Sequence, residues 1–151
     1  MFDFEKHLKL FADGKFDLLA KEYDEKAEYF DAMTNQSVRG RDEIMRILQP
    51  WKRAFPDIRY TIKNTIAAGD KLFVELEWEG THSGPFTGPL GTIEATGKRG
   101  VLPAALFYIL KGDKVLALHH YFEVMTILTQ IGVVPRPVVG APPVEAQPVV
   151  H

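Results

Sequence analysis

The sequence predicts an α+β domain in which helices come first and a run of long antiparallel strands follows. Three observations predict it. Apolar residues recur at helical spacing through most of the first 55 positions, the period changes to two from Ile58 onward, and the alternating runs are joined in pairs by the turn signals Gly69-Asp70 and Lys111-Gly112-Asp113. Helices followed by strands, without βα alternation, is the α+β pattern.

The elements follow in order. Phe2, Phe4, Leu8 and Phe11 form a helical stripe that Ala-Asp-Gly closes, and Phe16, Leu18, Leu19 and Tyr23 predict a second short helix packed on the first. Ala27 to Ala32 is short and aromatic and reads as a strand, followed by the polar loop MTNQSV. In RGRDEIMRILQPWKRAFPD, Ile44, Ile47, Leu48, Trp51 and Phe55 share a helix face; Pro50 is expected to kink that helix and Pro56 to end it. Ile58–Ala68 with Lys71–His82, and Arg99–Leu110 with Lys114–Phe122, read as two hairpins. Between them Ser83–Lys98, rich in Gly, Pro and Thr, reads as a loop over one end of the sheet. Val124–Ile131 is a last helix, stopped at Gly132.

At 151 residues and 46% hydrophobic content the chain can build one core without staples, and no repeat divides it. The domain is expected to span residues 1–134. The tail 135–151 is Pro/Val-rich and sticky enough to dock along the body or a neighbouring protomer as readily as to remain free. With no cysteine, thiolate nucleophiles and Cys-based zinc sites are excluded; together with an acidic, discontinuous N-terminus, this fits a cytoplasmic protein. Lysines and arginines number 18 against 20 acidic residues, with no basic block, so nucleic acid is not an expected partner; no apolar run is long enough to imply a membrane span.

Chemistry is sparse. Gly91 to Arg99 superficially suggests a phosphate loop, but five residues separate its glycines and Arg stands where a magnesium-binding hydroxyl belongs. His119 and His120 are strand neighbours, point to opposite faces and cannot chelate one ion, so no metal is expected. The stretch HHYFEVMTILTQIG holds the best candidate: alternation places His119 and Tyr121 on the face of Glu123, and Leu118, His120 and Phe122 on the other. Glu123 then either favours the start of the last helix or moves a proton. His82, where a strand runs into the Gly/Pro loop, is either a loop anchor or a donor at a pocket mouth. Most large aromatics belong to a core; Trp51, Phe55, Phe86, Leu106, Tyr108 and Tyr121 are the candidate walls of a ligand pocket.

Three segments carry a family resemblance: GRDEI with W-x-x-AFPD; EGTHSGPF; and KGDKV with YFE-x-x-x-IL-x-QIG. In this order and spacing the chain, over roughly residues 1–134, resembles the SnoaL-like polyketide cyclases of the NTF2-like fold. The resemblance implies a cone-shaped α+β barrel, its strongly curved antiparallel sheet wrapped around the N-terminal helices and enclosing an apolar pocket. It also implies an acidic residue that acts as the base just before the last helix, seven residues ahead of Gln130, which is Glu123; the family residue there is usually Asp. A carboxylate in such a pocket is a stronger base because burial disfavours its charge. Glu123 as base with His82, His119 or Tyr121 as donor would close a ring by proton transfer and carbanion chemistry on a small apolar carbonyl compound, with no cofactor. Isomerase or hydrolase chemistry on the same fold, or a non-catalytic small-molecule binding protein, are the alternatives. A homodimer through the outer sheet face is expected.

Overall fold

The computed structural model describes residues 1–89 and 91–135. The choice between a docked and a free tail falls on residues 136–151, which lie outside these residues. Two short helices open the chain, α1 (Phe4–Ala12) and α2 (Phe16–Lys21). Asp3 caps α1 by accepting the Lys6 N–H, and the apolar stripe turns His7, Leu8 and Phe11 inward. β1 (Tyr23–Asp31) follows, then β2 (Gln36–Arg39) and α3 (Arg41–Ala54), which continues through Pro50. The long hairpin β3 (Arg59–Ala68) and β4 (Lys71–Thr81) turns at Gly69, whose φ of 61° suits the missing Cβ. A small hairpin, β5 (Phe86–Gly88) with β6 (Gly91–Ile93), interrupts the Gly/Pro segment. β7 (Arg99–Lys111), β8 (Lys114–Phe122) and α4 (Val124–Gln130) complete the order.

Six strands form one sheet in the order β2-β1-β8-β7-β4-β3. Four of the junctions are antiparallel; β1 and β8 run parallel, with Tyr29 opposite Leu118 and Phe30 opposite His119. The sheet has two free edges and is therefore open. Register shifts at Ile62/Asn64, at Ile109/Leu110 and between Tyr23 and Glu28 mark where strands bend, so the sheet curves around the helices. The core fills the concave side, with Leu72, Val74, Leu76 and Trp78 of β4 beside Leu102, Ala104, Leu106 and Tyr108 of β7. No helix among the described residues is long and apolar enough to cross a membrane.

Three expectations are adjusted. Tyr23, expected on the second helix, opens β1 instead, its ring buried on the inward face that Ala27 and Tyr29 share. The polar segment after β1 holds an edge strand, β2, made by backbone pairing with β1 rather than by apolar alternation, so its sequence carries little strand signal. The loop over the end of the sheet contains its own hairpin, β5–β6, whose three-residue strands are too short to show a period.

Candidate functional site

Register decides what faces inward. On β4 and β7 the even-numbered residues point to the concave side, and the pairs Leu106/His120, Tyr108/Leu118 and Ala104/Phe122 carry that parity onto β8. His120, not His119, therefore enters the interior. On β1 the inward residues are odd-numbered, Tyr23, Ala27 and Tyr29. Between this surface and α1, α3 and α4 lies a cavity of about 70 Å³, measured by the positions open to the centre of a water-sized sphere. That is room for several waters or part of a small ligand.

Its wall is almost wholly apolar, with two polar clusters. In the first, the Trp78 indole N–H donates to His120 Nε2 at 3.2 Å, and His120 Nδ1 lies 3.0 Å from the Tyr29 hydroxyl. In the second, His7 Nε2 is 3.5 Å from the Tyr23 hydroxyl, while His7 Nδ1, buried, has no partner among the described residues. Burial holds both imidazoles neutral, pushing His7 down to about 3 and His120 to about 4. Burial also raises the phenols of Tyr23, Tyr29 and Tyr108, which stay protonated. Glu79, also at the wall, is engaged by Arg59 and by Arg99, the latter at 2.6 Å. The cavity thus presents neutral O–H and N–H groups and no free charge.

Of the expected pocket residues, Trp51, Phe55, Leu106 and Tyr108 line the cavity. Phe86 is buried behind Trp51, ring centroids 4.7 Å apart. Tyr121 is 48% exposed on the convex face, where it stacks with Phe30 and His119. His119 packs there too, between Phe30 and Phe107.

The expectation that the β8–α4 junction aims Glu123 into the pocket is corrected. Glu123 is exposed, stands at the N-cap of α4, and its Oε1 accepts the Met125 N–H at 3.0 Å. The physical reason is parity. Glu123 shares the outward face of His119 and Tyr121, and an extended N-cap residue satisfies an orphan N–H of the helix that begins beside it.

His82 is also away from the cavity wall. It is fully buried, its ring 5.4 Å from that of Phe55, and it ties the ends of the β5–β6 segment together. Its backbone exchanges bonds with Lys98 and Gly97, both 2.8 Å, and its Nδ1 accepts from the Thr96 N–H at 3.2 Å. Burial lowers its pKa. This is a loop anchor. Gln130 is another anchor: beyond Ala104, where β8 no longer pairs with β7, its amide bonds both the N–H and the carbonyl of Val101, the latter at 2.7 Å. It substitutes for a strand and fixes α4 over the cavity.

Sequence reasoning missed His120, Tyr29 and His7 as site residues. A signal existed for two of them. Leu118, His120 and Phe122 form a more apolar triplet than Ala117, His119 and Tyr121, so burial favours the face of His120; His7 lies on the helical stripe of Phe4, Leu8 and Phe11. Tyr29 carried no signal beyond an aromatic residue in a strand. Among the described residues no group of three or more His, Asp or Glu side chains is arranged to hold a metal ion.

The profile of the SnoaL-like polyketide cyclases matches residues 5–131. Solved structures share the fold. A candidate SnoaL-like polyketide cyclase from Jannaschia sp. CCS1 superposes with a TM-score of 0.72 at 22% identity, covering 87% of this chain and 92% of that one. AclR, a candidate hydroxylase from Streptomyces galilaeus, gives 0.75 at 16% identity over 88% and 80%. A protein with a ketosteroid isomerase-like fold from Catenulispora acidiphila DSM 44928, solved with trimethylamine, gives 0.67 at 18% identity over 83% and 88%. No curated protein matches. The NTF2-like architecture expected from the sequence, a curved sheet around helices, is the architecture observed.

Proposed function

The chain belongs to the SnoaL-like polyketide cyclase family, and from that premise we propose that its cavity binds an uncharged, apolar carbonyl compound and polarises it for cofactor-independent carbon chemistry of the cyclase type. The observation that carries this reading is the cavity's inventory: aromatic and aliphatic walls interrupted by neutral imidazole, indole and phenol groups and by one carboxylate, Glu79, which Arg59 and Arg99 already engage. A carboxylate or ammonium entering it would lose its hydration and find no free counter-charge, since Glu79 is already paired with Arg59 and Arg99, a cost of several kcal/mol or more. A ketone loses far less and gains a neutral donor. Ring closure needs a proton removed from a carbon beside a carbonyl, and stabilisation of the oxygen on which charge gathers; the cavity supplies the second requirement directly.

The test compares two probes of similar size, the neutral acetophenone and the anionic benzoate, titrated against the tryptophan fluorescence of Trp51 and Trp78. Acetophenone is expected to bind at least about a hundredfold more tightly, the equivalent of about 3 kcal/mol. Equal binding of benzoate refutes the reading.

Binding without turnover is the second reading, and the observation favouring it is the exposed Glu123, whose carboxylate serves α4 rather than the cavity. Exchange of the acetophenone methyl hydrogens for deuterium in D₂O separates the two. Exchange above the uncatalysed rate supports catalysis, and saturable binding with background exchange supports the binding protein. The expected homodimer belongs to this proposal as well, with the convex aromatic group of Phe30, Phe107, His119 and Tyr121 as its contact.

A further inference from the structure

We infer that Tyr29 donates the hydrogen bond that polarises the ligand's carbonyl oxygen, and that Trp78 and His120 hold it in that role through a chain of hydrogen bonds that runs in one direction only. This rests on the reading above that the ligand is an uncharged carbonyl compound.

The direction follows from donor chemistry. Indole nitrogen donates and never accepts, so at the 3.2 Å contact with Trp78 the Nε2 of His120 must be the acceptor. A neutral imidazole carries one N–H, which is therefore on Nδ1. At 3.0 Å that N–H donates to the Tyr29 oxygen. The Tyr29 oxygen is thus already an acceptor, and its own proton has no acceptor among the described side chains and backbone groups of the protein. Tyr29 is 2% exposed and lines the cavity, so a molecule inside it is the available acceptor.

Accepting from His120 also polarises the phenol, strengthening what it donates, because linked hydrogen bonds reinforce one another in a low-dielectric setting. The three residues come from β4, β8 and β1 and so span the concave surface. The other buried phenols lack this arrangement: Tyr23 meets His7 at 3.5 Å, a contact whose direction either imidazole tautomer permits, and no such chain ends on Tyr108.

Two measurements test the inference. In the ligand-free protein at pH 7, nitrogen NMR of ¹⁵N-labelled histidine should show His120 protonated at Nδ1 and bare at Nε2, with the Nε2–H form rising in Trp78→Phe. A wild-type His120 protonated at Nε2 overturns the inference regardless of any ligand. Next, infrared spectra of ¹³C-carbonyl acetophenone should show its C=O stretch shifted to lower frequency when bound to the wild type. In Tyr29→Phe that shift should vanish while binding weakens only about tenfold, as loss of one hydrogen bond allows. Bound acetophenone with the same carbonyl frequency in both proteins overturns the role of Tyr29 alone. Failure of the wild type to bind acetophenone overturns the ligand reading on which that role depends.

Discussion

Acidification from pH 7 to pH 5 should cost this protein about 4 kcal/mol of stability through two histidines. His7 and His120 are held neutral in the fold, with pKa values of about 3 and about 4 against 6.5 for the free side chain. The unfolded chain therefore binds protons that the folded chain refuses, and stability rises with pH throughout the window between those values. The stabilisation is complete above pH 6.5 and is lost as pH falls toward 4 for His120 and toward 3 for His7. At pH 5 an unfolded histidine of pKa 6.5 is protonated by a factor of roughly thirty, worth about 2 kcal/mol for each residue. Ordinary domain stability is about 5–15 kcal/mol, so the loss is large. His82, its pKa also lowered by burial, adds to it in the same direction. Urea unfolding followed by tryptophan fluorescence at pH 7, 6 and 5 measures the effect as a falling midpoint at constant slope. His7→Leu should remove its share of the pH dependence. Equal stability at pH 7 and pH 5 would refute the claim that the interior histidines are buried and uncharged.

Two further outcomes are expected. Gln130→Ala leaves the N–H and carbonyl of Val101 without partners; it should cost about 1–3 kcal/mol and speed hydrogen exchange of the Val101 amide, and unchanged exchange would contradict the clamp. Glu123→Gln should lose about 0.5–1 kcal/mol of stability as an N-cap while acetophenone affinity stays level; unchanged stability with deuterium exchange abolished would instead restore Glu123 as the base.

Much of this fold was legible because period and turn chemistry are local. The helical stripe of Phe4, Leu8 and Phe11, the switch to alternation after Ile58 and the glycine turns at Gly69 and Gly112 each lie within a short window. What was not legible depends on partners distant in sequence. Alternation divided β8 correctly into two faces, but which face turns inward is settled by register with β7, where Leu106 meets His120. Choosing the face with the more reactive groups led to Glu123 and His119; choosing the more apolar face would have led to His120. β2 owes its existence to backbone pairing with β1, and the parallel union of β1 with β8 leaves no trace in either strand. Trp51, Phe55, Leu106 and Tyr108 were recoverable as cavity wall because large apolar side chains on inward faces have nowhere else to go.

The parallel seam between β1 and β8 also bears on how the molecule comes into being. Tyr29 and His120 are 91 positions apart, so β1, paired locally with β2, gains its second neighbour only after β8 has been made. Closing so long a loop is entropically costly and slow, and it follows the local hairpins rather than preceding them. The contact between the Tyr29 hydroxyl and His120 is formed by that same closure. A nascent or truncated chain that ends before β8 therefore lacks the contact that orients Tyr29, and capacity to hold a ligand through Tyr29 arrives together with completion of the sheet.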